Sequence, residues 1–129
     1  MEILFQHILQ QRFIRIVFQP IVSLQDGQII GYEALTRGPH QTVFENPETL
    51  FTYATEQQQL WELESICRTE ALQQFSKRKW SGKLFLNVNP NIMSDEKFRS
   101  GFTKSYLEQY GIAPERIVFE VTEKEAIRD

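Results

Sequence analysis

The chain is poor in soft ligands and in runs of any one kind. It has one cysteine, Cys67, and two histidines, His7 and His40, among 129 residues. A single thiol builds no disulfide framework and suits a reducing compartment such as the cytoplasm. No stretch approaches the apolar length needed to span a bilayer. The opening Met1 to His7 has no basic start, long apolar run or small-residue cleavage site, so it does not read as a signal peptide. Basic clusters are also missing. Lys and Arg number 14 against 17 Asp and Glu, a net charge of −3, which argues against DNA or RNA as partner because phosphate backbones need a basic face. A small anionic ligand stays open, since one or two placed cations or a metal can hold it. The apolar share of 41% and the charged share of 24% are those of a soluble globular domain with a real core, which excludes disorder.

What is present is an alternation of strand and helix signals. Ile3, Leu4, His7 and Ile8 fall at helical spacing. Arg15 to Val22 is β-branched and aromatic, with Pro20 marking an edge or a strand end because it cannot donate to a ladder. Asp26-Gly27 signals a hairpin into a second strand, Gln28 to Arg37, antiparallel to the first. Asn46-Pro47-Glu48 has the chemistry of a helix start, and the helix carries Leu50, Phe51 and Ala54 inward. A longer helix follows with Leu60, Leu63, Cys67, Ala71 and Phe75 on its apolar stripe, Glu64 and Arg68 adding an i,i+4 pair on its flank. That spacing makes Cys67 a buried structural thiol. Lys83 to Asn89 is a third strand. Ser94 is expected to cap a helix through Phe98, Phe102 and Leu107 that stops at Gly111, and Arg116 to Thr122 is a fourth strand. Beyond it Lys124 and Glu125 read as a solvated helix start. The order implies an α/β fold, parallel after the first pair, with helices packed outside and the sheet left open at its edges.

The strands carry polar residues where a doubly covered sheet should be apolar. Gly31, Glu33, Leu35 and Arg37 share one face of the second strand, Phe85, Asn87 and Asn89 one face of the third, Val118, Glu120 and Thr122 one face of the fourth. Buried carboxylates without partners shift their pKa or demand a cation. Arg37 could offset one of Glu33 and Glu120. A divalent metal would offset both and use Asn87 as a neutral oxygen ligand, and such an oxygen set suits a hard ion. His7 and His40 sit outside this pattern. Solvent-facing positions on a one-sided sheet would give the same alternation, so both readings stand at this point.

Four segments resemble one family. Phe18-Gln19-Pro20-Ile21-Val22, Tyr32-Glu33-Ala34-Leu35-Thr36-Arg37, Leu84-Phe85-Leu86-Asn87-Val88-Asn89-Pro90 and Phe119-Glu120-Val121-Thr122-Glu123 are similar, in order and strand placement, to motifs of the EAL domain. The resemblance implies the first half of a TIM-like (β/α)8 barrel with its first strand antiparallel to the rest, so that residues 1–129 form a partial EAL domain. It implies a cyclic di-GMP phosphodiesterase that yields pGpG with Mg²⁺ or Mn²⁺ and is inhibited by Ca²⁺. It assigns Glu33, Asn87 and Glu120 as metal ligands, with Glu33 and Glu123 serving catalysis. Gln19, Leu35 and Arg37 are assigned to the dinucleotide, Arg37 being suited to a phosphate oxygen. GGDEF or sensor modules are common companions in such proteins, and a partner module is expected after the EAL region. A non-catalytic cyclic di-GMP receptor or interaction module is the alternative, and open sheet edges would also suit a homodimer or swapped assembly.

The family reaction further needs an Asp-Asp pair, a lysine, another glutamate and a glutamine from later strands, none of which this chain supplies. The expected outcome is that the 129-residue chain forms no detectable pGpG from cyclic di-GMP. Metal-dependent turnover that Glu33→Ala abolishes would overturn this.

Overall fold

The computed structural model describes residues 1–93, 95–96 and 101–121. Helix α1 (Glu2–Gln11) leads into strand β1 (Arg15–Val22) and strand β2 (Ile29–Arg37). Helices α2 (Pro47–Glu56) and α3 (Leu60–Arg78) precede β3 (Lys83–Val88), and α4 (Phe102–Tyr110) precedes β4 (Ile117–Val121). The sheet runs β1-β2-β3-β4, with β1 antiparallel to β2 and the later neighbours parallel. Pro20 therefore sits on an edge strand, where its missing N–H costs least.

Local chemistry explains the boundaries. The β1–β2 connection closes through Ser23 N–H to Gln28 O at 2.8 Å, with Gly27 at φ +72° and Asp26 Oδ1 accepting from Gln28 N–H. Asn46 Oδ1 accepts from Glu48 and Thr49 N–H and starts α2 as the sequence indicates. Gly111 at φ +69° ends α4, its N–H donating to Glu108 O at 3.3 Å. The expected cap at Ser94, and Phe98 and Thr122 with it, lie outside the described residues. In α1 the inward stripe is Phe5 and Ile8, while Ile3 is 87% exposed. The expected stripe is thus shifted, because Phe5 finds the Phe44 and Tyr53 rings.

Helix α3 lies between two apolar clusters. Leu60, Leu63 and Cys67 meet α1, α2 and the end of β3 through Phe5, Ile8, Leu50 and Val88. Ala71, Leu72 and Phe75 cover the sheet face made by Ala34, Leu84 and Leu86. The opposite sheet face carries no helix among the described residues, and the polar residues stand there.

Gly38 sets how β2 turns into α2. A Cβ there would fall 1.9 Å from the Phe44 carbonyl oxygen, and Phe44 is fully buried, so neither side can yield cheaply. Gly38→Ala is expected to cost about 2–3 kcal/mol; a urea midpoint equal to that of the parent chain would refute this.

Candidate functional site

Sheet register decides which polar groups meet. Gln19 faces Glu33 across the antiparallel pair, Glu33 aligns with Phe85, and Asn87 aligns with Glu120. Period-two alternation then puts Gln19, Glu33, Asn87 and Glu120 on the face that α3 does not cover. Asn87 Nδ2 donates to Glu33 Oε2 at 3.1 Å. The Glu120 carboxyl is held above its ordinary 4.5, first by burial, then by the charge of Glu33 and a hydrogen bond shared with it. One oxygen of Glu120, Oε1, is buried and has no hydrogen-bond partner among the described residues.

These features fit a hard cation. Two adjacent carboxylates repel, an orphaned acceptor oxygen needs a positive partner, and Asn87 can add a neutral oxygen. Among the described residues no three His, Cys, Asp or Glu side chains come together, so an ion here would have two carboxylates and one amide to draw on. Glu123 lies outside the described residues.

Arg37 stands at the end of β2 on the same face, and its Nη1 donates to Thr36 O at 2.9 Å. With Leu35 and Asn87 it borders a pocket of about 360 Å³ that continues between the strand ends and α2 and α3, where Phe51, Glu64 and Arg68 line it. Glu33 and Glu120 stand outside the pocket, on the open face beside its mouth. Gln19 is exposed on the edge strand, opposite Glu33.

Glu64 and Arg68 are not on a solvated flank, as their i,i+4 spacing suggested. They are 6% and 3% exposed and joined at 2.7 Å, Arg68 Nη2 donating to Glu64 Oε2. The other Glu64 oxygen accepts from Asn89 N–H at 3.3 Å. Burial raises the Glu64 pKa against the pull of Arg68, and burial lowers that of Arg68 against the pull of Glu64. Removing one partner of such a pair costs about 3–5 kcal/mol, because the other charge stays buried. A signal was available: Leu60, Glu64, Arg68 and Leu72 form one i,i+4 row, so the pair continues an apolar stripe. Cys67 between them is buried and pushed up to about 12, chiefly by burial, so it is the inert structural thiol that its spacing indicated.

The sequence matches the EAL domain family over residues 1–129. The chain belongs to that family. It is similar to the FimX EAL domain from Pseudomonas aeruginosa bound to c-di-GMP, with a TM-score of 0.81, 22% identity, and coverage of 97% of this chain and 51% of that one. Similar too is the PaMucR phosphodiesterase in its c-di-GMP complex, with a TM-score of 0.79, 22% identity, and coverage of 97% and 54%. An uncharacterized protein, y4lL of Sinorhizobium fredii, is 28% identical over 130 residues, 95% of this chain and 15% of that protein. The chain thus spans about half the length of these solved structures and far less of that relative. Its α/β sheet, with β1 reversed, matches the N-terminal part of the EAL TIM-like barrel. Among the described residues no helix is long and apolar enough to cross a membrane.

The crowded carboxylates give a pH prediction. A carboxyl whose folded pKa is raised favours the folded state while protonated, and that stability is lost as pH rises through the raised value. Without divalent metal, Glu120→Gln is therefore expected to raise the melting temperature by a few degrees at pH 7. The gain should vanish below the ordinary carboxylate value of 4.5. Equal melting in EDTA across that range would refute it.

Proposed function

We propose that this EAL chain supplies the first half of a cyclic di-GMP site, and that the whole protein is a cytoplasmic, metal-dependent phosphodiesterase releasing pGpG. The observation that carries this is the pairing of Glu33 and Glu120 beside Asn87, with a buried Glu120 oxygen that accepts no hydrogen bond among the described residues. Those three side chains would hold Mg²⁺ or Mn²⁺, with Ca²⁺ competing for the same oxygens as an inhibitor. When bound, such an ion supplies a Lewis acid for the phosphoryl oxygen and a water of lowered pKa.

The chain's own residues bind and orient. Arg37, at the rim of the same face, offers a planar fork of donors to a phosphate oxygen. Leu35 gives a base an apolar surface at the pocket mouth, and Gln19 reaches the ligand from the edge strand opposite Glu33. The pocket of about 360 Å³ is within the range of small-molecule sites. Glu123 is proposed to organise the site. The catalytic groups that complete the reaction come from later strands of the barrel, and a GGDEF or sensor module and a dimeric partner belong to the whole protein.

A second reading, a cyclic di-GMP receptor, is favoured by one feature: Arg37, Leu35 and the pocket need no metal to bind a dinucleotide. Two measurements separate the readings. Calorimetry with cyclic di-GMP and Mg²⁺ should show binding that Arg37→Ala weakens at least about tenfold, as the loss of a charged hydrogen bond implies. In the whole protein, Glu33→Ala should cut pGpG formation more than about a hundredfold while changing nucleotide affinity far less. Binding without turnover in Mg²⁺ or Mn²⁺ would establish the receptor; absence of binding would defeat both readings.

A further inference from the structure

Among the described residues the β3–β4 ladder pairs as far as Val88 with Val121, one residue beyond Asn87 and Glu120. Both strand ends are also tied to α3. Glu64 Oε1 accepts from Asn89 N–H at 3.3 Å, two residues beyond Asn87. The guanidinium of Arg68 lies 5.5 Å over the ring of Phe119, the residue before Glu120. Glu64 and Arg68 join each other at 2.7 Å, one turn apart on a 19-residue helix packed on both sides. A single ion-paired unit thus reaches the two strands that carry two of the three donors.

We propose that Glu64 and Arg68 are positioning residues that fix the height of Asn87 against Glu120, so that their oxygens converge. The proposal rests on the reading of Glu33, Asn87 and Glu120 as a donor set. It explains why a charged pair occupies an apolar row of α3. Apolar side chains there would fill the space and seal the helix against the sheet, but would supply neither the acceptor for Asn89 nor the cation over Phe119.

The decisive variant is the double change Glu64→Leu with Arg68→Met, which removes both charges together and leaves no buried ion unpaired. It should melt no lower than the parent chain, which separates positioning from plain stability. Its Mn²⁺ affinity, read by electron paramagnetic resonance, should fall at least about tenfold, the usual cost of losing a group that orients a ligand. In the metal-free protein the Asn87 side-chain amide resonances should shift. The double change Glu64→Gln with Arg68→Met keeps an oxygen for Asn89 N–H without stranding a buried charge and should recover part of the affinity; it also serves if the first double variant does not fold. Mn²⁺ affinity within twofold of the parent overturns the proposal, as do unmoved Asn87 resonances. Should the parent chain bind no Mn²⁺ at all, the donor reading fails and the Asn87 resonances alone decide the positioning.

Discussion

Helix α3 is packed between the sheet and the α1–α2 layer along most of its length, and the way it manages this governs the rest of the molecule. Its apolar residues divide between the sheet and the α1–α2 layer, leaving one row to face the strand ends. On that row stand Glu64 and Arg68, each nearly without solvent. A carboxylate and a guanidinium so placed can stay charged only by neutralising each other, and their geometry at 2.7 Å does so. The helix cannot slide or rotate without breaking the Glu64 contact to Asn89. The depth of α3 against β3 is therefore set by polar chemistry, while hydrophobic burial supplies the adhesion.

Because α3 and its neighbours take one face of the sheet, alternation delivers every other side chain to the opposite face. The same rule that buries Ala34, Leu84 and Leu86 brings Glu33, Asn87 and Glu120 out together. No special loop is required to bring these side chains together. They follow from strand register, and a slip of one residue in β3 would send Asn87 into the apolar layer and Leu86 or Val88 to the open face.

That dependence explains what could be read from the sequence. Turn and cap chemistry is local, so Asp26-Gly27, Asn46-Pro47 and Gly111 mark their boundaries without help from the fold. Alternation is nearly as local, and it placed Glu33, Asn87 and Glu120 on matching faces before their neighbours were known. Register is not local. That Asn87 lies opposite Glu120 while Glu33 lies opposite Phe85 depends on how the helices pack, and no single strand records it. The Glu64–Arg68 pair misled for a related reason. An i,i+4 charge pair has the same spacing on a solvated face and in a core, and only the row shared with Leu60 and Leu72 separates the two cases. The pocket was invisible because its walls come from both strand ends and two helices, each contributing residues that read as ordinary core.

The separation between carboxylates and cation along β2 bears on what the site can hold. Glu33 and Arg37 share a face but stand four residues apart, about 13 Å along a strand. None of the ion pairs recorded among the described residues includes Arg37, and its one recorded side-chain hydrogen bond goes to its neighbour's carbonyl. Arg37 is thus too far along the strand to quench the repulsion between Glu33 and Glu120. Two needs remain on one surface: paired carboxylates that call for a cation, and a guanidinium farther along β2 that calls for an anion. On the proposed reading a phosphodiester meets both, one oxygen turned to the cation at the carboxylates and another turned to Arg37. A simple anion would satisfy only Arg37, and a cation alone only the carboxylates.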